Sequence, residues 1–123
     1  NNPYRYPPAA VELKNLRDDQ IFPNINRKEH PTLYPAGAQL FFRISYMLVG
    51  DSDAGYKGIM VFIDLLTLLV LAALLQTWGL SLSRIIVFAW NPLARFEVAY
   101  SGHLEGLTYF LMVAAFYKFD NHK

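Results

Sequence analysis

Apolar and polar positions change character near Gly50 to Lys57. On the C-terminal side, Gly58 to Trp78 reads GIMVFIDLLTLLVLAALLQTW, with Asp64 as its lone ionisable group. A helix over that stretch is about 31 Å long, enough to cross the roughly 30 Å hydrocarbon core of a bilayer. A small soluble domain seldom needs a helix that is apolar on every face, so the stretch predicts a first transmembrane span. After the turn-like Gly79 to Ser83, a second apolar stretch runs from Ile85 to about Ala99, interrupted by Asn91-Pro92, Arg95 and Glu97. Pro92 predicts a kink there, and a broken helix at membrane depth lines a cavity. A third stretch, Leu107 to Phe116, is short for a full span, so either its flanks belong to it or the helix continues past this sequence.

Ahead of these, Ala38 to Val49 reads AQLFFRISYMLV, about 18 Å as a helix and too short to span. It predicts an interfacial or re-entrant amphipathic helix. Residues 1–37 hold six of the seven prolines and many charges, which disfavours long regular elements. One short helix is expected over 9–16, after the Pro7-Pro8 pair, and an extended loop over 17–36. The predicted fold is therefore an all-α membrane protein. It has about three transmembrane helices, a preceding interfacial helix over the start of a membrane-associated region 38–123, and a Pro-rich extramembrane segment 1–37.

Composition narrows the function classes. Hydrophobic residues make up 54% of the chain and charged residues 17%, against roughly 25% charged in soluble domains, so most of the chain is not disordered. Eleven Lys and Arg against ten Asp and Glu leave no basic field to argue for nucleic acid. The absence of cysteine removes disulfides, thiolate metal sites and cysteine nucleophiles. Asn1 to Tyr4 lacks the basic and apolar regions of a signal peptide, and a fragment or processed chain is the expectation. Arg84 lies in the loop after the first span and Lys118 and Lys123 in the tail, while Asp51 and Asp53 precede the first span. The excess of cations favours the cytoplasm for the former two, which puts residues 1–57 and the turn from Tyr100 to Glu105 on the outer face.

Few residues can carry chemistry. Asp64, inside the first span, calls for a partner, with Thr67 one turn on and Arg95 as the candidate cation; the pair would be a helix–helix bond or part of a site. Arg95 could instead bind a phosphate, snorkel to the interface or form an ion pair with Glu97, and Asn91 shares its face if the helix resumes after Pro92, while Glu97 points elsewhere. His103 and Glu105 flank a polar turn beside Gly102, where the imidazole could bind phosphate, shuttle a proton or cap the next helix. Arg27, Lys28 and His30 form a small basic cluster, and Arg17-Asp18-Asp19 is either a divalent-cation site or a solvated turn. The three histidines at 30, 103 and 122 have no ligand spacing, so no metal is expected.

The order NPYRYPP (2 to 8), LRDDQIFPNIN (16 to 26), TLYPAGAQLFF (32 to 42), DLLTLL (64 to 69) and AWNPLARFEVAYSGHLEGL (89 to 107) resembles bacterial integral-membrane glycosyltransferases of the GT-C type. The likeness is to the polyprenol-phosphate-mannose-dependent group, and the glycosylphosphatidylinositol mannosyltransferases share the order of elements. The resemblance implies a multi-pass enzyme of the bacterial inner membrane. It would transfer a hexose, here mannose, from a polyprenyl phosphate donor to an acceptor hydroxyl at the outer face. It places the catalytic base in an outer loop before Asn1, outside this sequence, so the catalytic residue is not among those shown. Tyr34-Pro35 and Asn91-Pro92 match frame motifs, and Glu105 stands where relatives have an acid after Gly-His. Arg95, His103 and the Arg27 to His30 cluster are then candidates to face the leaving phosphate. No other cofactor is implied.

Two functions remain open at this point. One is a portion of such a transferase; the other is a non-catalytic accessory transmembrane subunit whose apolar faces meet neighbouring subunits or pigments in a larger complex. A soluble helical binding module is a third.

Overall fold

The computed structural model describes residues 2–120, and among them there are helices and turns but no strand. The chain divides into two compact units, Asn1–Gln39 and Leu40–Lys123.

The first unit is built from turns. The short helix expected over 9–16 forms as a single 3-10 helix, Val11–Leu16. The reason is local: none of its residues is buried, and Ala10 provides no side-chain cap. A six-residue helix with neither cap nor packing cannot offset the cost of nucleation. Backbone groups are instead satisfied across the turns, by Ala9 N–H donating to Lys28 O at 2.9 Å and Thr32 N–H to Pro3 O at 3.1 Å. Arg17 acts as a staple, with Nη2 donating to Ala10 O at 2.7 Å and Nε to Pro8 O at 3.2 Å. A second 3-10 turn, Phe22–Asn24, carries a ring that both Arg17 and Lys28 cover, at 4.5 and 5.1 Å from its centroid.

Helix α1, Ala36–Val49, follows Pro35 and stops at Gly50, whose φ of +64° suits a residue without a side chain. Helix α2, Asp53–Thr77, is capped at both ends. Ser52 Oγ accepts the Gly55 amide at 3.0 Å. At the other end Gly79 N–H donates to Gln76 O and Leu80 N–H to Leu75 O, the paired bonds of a Schellman motif around a left-handed Gly79. The buried residues of α2 are Met60, Ile63, Asp64, Thr67, Leu74 and Leu75, a stripe at helical spacing.

That stripe packs on α5, Glu105–Asp120, and on the segment between the two helices. Gly106 near the start of α5 faces Met60, and Asp120 at its end accepts a hydrogen bond from Trp78 Nε1 at 2.9 Å. The two helices therefore run parallel, and the intervening chain returns between their ends. Gly106 is fixed by that contact, since a Cβ there would lie 3.1 Å from Met60 Cε and 3.2 Å from Val98 Cγ2.

Where three spans were expected, the described residues hold one helix with the length and apolarity of a membrane span, α2. The second stretch is cut into a 3-10 turn Leu82–Ile85, helix α3 Ile86–Ala89, helix α4 Pro92–Arg95 and a π-helical turn Phe96–Tyr100. Pro92 has no N–H to continue α3, while Asn91, in extended geometry with ψ 110°, accepts the Leu93 and Ala94 amides on Oδ1 and starts a new helix. The third stretch becomes α5, 16 residues long. Helix α1, with 14 residues, is likewise too short.

Candidate functional site

Two polar groupings interrupt the apolar packing of the second unit. The first lies inside it. Asp64, 3% exposed, meets Arg95, the last residue of α4, in a two-pronged ion pair: Nη1 donates to Oδ2, and Nη2 to Oδ1 at 2.8 Å. A buried carboxylate needs such a partner because its loss of hydration is otherwise uncompensated. The Arg95 guanidinium also stacks over the Phe88 ring at 5.3 Å. Thr67, the polar neighbour one turn along, does not join the pair; its hydroxyl donates to Ile63 O at 3.0 Å. Arg95 Nε is buried without a hydrogen-bond partner. Both forked nitrogens are thus engaged by Asp64, and a phosphate reaching Arg95 would have to displace that carboxylate. Asn91, predicted to share a face with Arg95, acts as the cap of α4.

The second grouping sits at the N-terminal end of α2 and α5. Gly102, at φ +66°, turns the chain against Tyr56 and Lys57; a Cβ there would lie 3.3 Å from Lys57 Cγ. The turn presents His103, whose Nδ1 is 2.9 Å from Glu97 Oε2 and 3.7 Å from Glu105 Oε2. The His103 amide also donates to Glu97 O at 2.9 Å. One α-helical turn away, Lys57 pairs with Asp53 at 2.8 Å and lies over the Tyr100 ring at 6.0 Å. With its proton on Nδ1, the imidazole donates to Glu97 and leaves Nε2 as an acceptor on a side chain that is 56% exposed. Three carboxylates here face one ammonium and one imidazole. Such a balance suits hydroxyl groups and protons better than a phosphate dianion.

The expected alternative, an ion pair of Glu97 with Arg95, is not what forms: Arg95 pairs with Asp64, and Glu97 with His103. Glu97 lies in a π-helical turn, where the Ser101 amide bonds Phe96 O instead of the usual fourth carbonyl back. The sequence signal was only the Asn91-Pro92 break.

The remaining candidates belong to the first unit. Lys28 Nζ donates to Pro23 O at 2.7 Å, so its charge is held at Phe22. Arg27 has φ +55°, and the His30 amide closes a turn onto Arg27 O at 3.0 Å. Tyr34 receives the Tyr4 hydroxyl on its carbonyl at 2.8 Å. In the Arg17-Asp18-Asp19 cluster, Asp18 Oδ1 accepts the amides of Ile21 and Gln20. The Ile21 bond first, with the Gln20 bond adding to it, holds this carboxyl below the ordinary range for aspartate, against the opposing pull of desolvation. That is the chemistry of a turn. Among the described residues no group of three His, Asp or Glu could hold a metal ion, and His122 lies outside them. Compared with family models, curated proteins and solved structures, the chain matches none.

Proposed function

We propose that this chain is part of a membrane-embedded glycosyltransferase that moves a hexose from a polyprenyl phosphate to an acceptor hydroxyl at the outer membrane face. The observation that supports it is the pairing of an outward-facing apolar helix with a polar turn at one end. Only 28% of the most apolar stretch of α2 is buried, whereas a core helix of a soluble protein would be covered. Phe62, Leu65 and Leu69 on α2, and Leu111, Met112 and Phe116 on α5, face outward. Burying such side chains in hydrocarbon is favourable by about 1.5–3 kcal/mol each. The unit thus fits a bilayer, with α2 as the span and the returning segment and α5 packed on it. The Glu97–His103–Glu105 turn then lies at the water boundary, where its carboxylates can accept hydrogen bonds from sugar or acceptor hydroxyls and His103 Nε2 can exchange a proton.

Two experiments test this. Alkaline carbonate extraction of membranes holding the expressed chain should leave it in the pellet; release into the supernatant would overturn the spanning role of α2. In membranes carrying the natural gene product, His103→Ala and Glu97→Gln should lower hexose transfer from polyprenyl phosphate at unchanged protein level. Transfer that persists at the wild-type rate would reject the catalytic reading. The accessory-subunit reading would then be preferred, supported by the same exposed apolar faces, which neighbouring subunits could cover.

A further inference from the structure

The first unit contains an open groove of about 1300 Å3, lined in part by the Arg27 to His30 cluster that the resemblance set against a leaving phosphate and apart from the Glu97–His103–Glu105 turn on which the proposed function rests. Arg17, Arg27 and His30 line it, with Asp18 as the acid among its lining residues. That acid is already committed, since one of its oxygens accepts two backbone amides. Arg17 is committed as well, to the carbonyls of Pro8 and Ala10, though its charge stays at the groove. Arg27 and His30 differ. Neither side chain has a hydrogen bond, ion pair or ring contact among the described residues. Arg27 also holds the single positive φ of a non-glycine described residue, +55°. A residue with a Cβ is disfavoured there, and the Arg27 side chain makes no local bond that would compensate. The amide of His30 bonds the Arg27 carbonyl, so the two side chains emerge three residues apart from one tight turn. Apolar walls, including Phe22, Leu13 and Ile25, complete the groove.

We infer that this groove binds a phosphate monoester carried on a partly apolar body, with Arg27 and His30 donating to its terminal oxygens. A carboxylate is satisfied by one guanidinium fork, whereas a tetrahedral phosphate has oxygens left for a second donor at a different angle. The uncommitted guanidinium and imidazole offer it donors, and Arg17, which also lines the groove, adds positive charge. The inference stands on the groove's own geometry and not on the transferase reading, and it requires neither a bilayer around α2 nor sugar transfer. The phosphate could come from a soluble ester or from the headgroup of a lipid such as phosphatidic acid.

The test uses the whole chain in maltoside micelles, which contain no phosphate, at fixed pH and chloride concentration. Inorganic phosphate and, separately, phosphatidic acid in mixed micelles are titrated while the Arg27 Nε–H and His30 ring resonances are followed by NMR. Saturable shifts at both residues are expected. A response to both probes means that the phosphate group suffices; a response to phosphatidic acid alone assigns the site to a lipid headgroup. Arg27→Gly is the decisive variant, because glycine accepts φ +55° without strain. It should leave the amide spectrum and unfolding midpoint intact or improved while weakening binding about tenfold or more. His30→Ala should weaken it less. Absence of saturable shifts with either probe, or wild-type binding by Arg27→Gly, overturns the inference. Neither result bears on carbonate extraction or hexose transfer, so the two readings fail separately.

Discussion

The two units solve the same problem, satisfying a short chain's polar backbone, by opposite means. In Asn1–Gln39 the solution is a set of turns: prolyl turns, 3-10 helices, and side chains that bond backbone carbonyls, as Arg17 does to Pro8 and Ala10 and Tyr4 to Tyr34. Neither 3-10 helix buries a residue. In Leu40–Lys123 the backbone is satisfied within helices, and side chains are free to make contacts distant in sequence, Asp64 with Arg95, Gly106 with Met60, and Trp78 with Asp120. The difference teaches where each unit is vulnerable. A single packing or charge defect should damage the second, while the first should respond mainly to changes in its turns.

The largest effect is expected from the buried pair. Asp64→Ala leaves the Arg95 guanidinium without its carboxylate and should destabilise the second unit by about 3–5 kcal/mol. Asp64→Leu combined with Arg95→Met should recover most of it. Denaturant unfolding in micelles, followed by circular dichroism, distinguishes these, and a single variant as stable as wild type would show that the pair contributes nothing to folding. Gly106→Val comes next. Its side chain collides with Met60 and Val98, and overpacking of this kind costs about 1–3 kcal/mol; the Tm should fall, and a crystal or NMR structure should show α5 displaced from α2. Trp78→Phe keeps the ring but deletes the N–H that reaches Asp120, an exposed bond of about 0.5–1 kcal/mol. Hydrogen exchange should quicken at the C-terminal end of α5 alone.

The smallest effect sharpens the contrast from the other unit. Because its amide bonds favour the ionised form, Asp18 has a native pKa below the unfolded value. Its contribution is present above the ordinary aspartate range and disappears as pH falls through the lowered native value. The Gln20 and Ile21 amide resonances should therefore shift together on acidification while those of α2 stay fixed. Asp18→Asn, which keeps an acceptor oxygen, should abolish that titration.

Legibility in the sequence followed the same division. An apolar run with one acid identifies α2, because the length and the cost of an uncompensated charge are both visible in one dimension. It also asks for a cation, and Arg95 was the natural choice. The lower boundary was misplaced, from Gly58 to Asp53, because the polar first turn is stabilised by the Ser52 cap and the Asp53–Lys57 pair and not by apolar burial. The 9–16 segment has helical spacing but nothing to pack on, and so stayed a 3-10 turn.

Hydrophobic length, the proline break at 92, the lone acid in α2 and the absence of cysteine are properties of the chain in order, and the sequence by itself determined them. Which carboxylate would hold His103 was decided by the fold, where Glu97, in the π-helical turn, lies nearer to it than Glu105. That Arg95 has no free fork for a ligand was decided by the two-pronged ion pair that brings it from α4 to Asp64 of α2. Only tertiary structure could settle either, because both depend on the direction in which a side chain leaves a distorted helix, and that direction is set by neighbours far away in sequence.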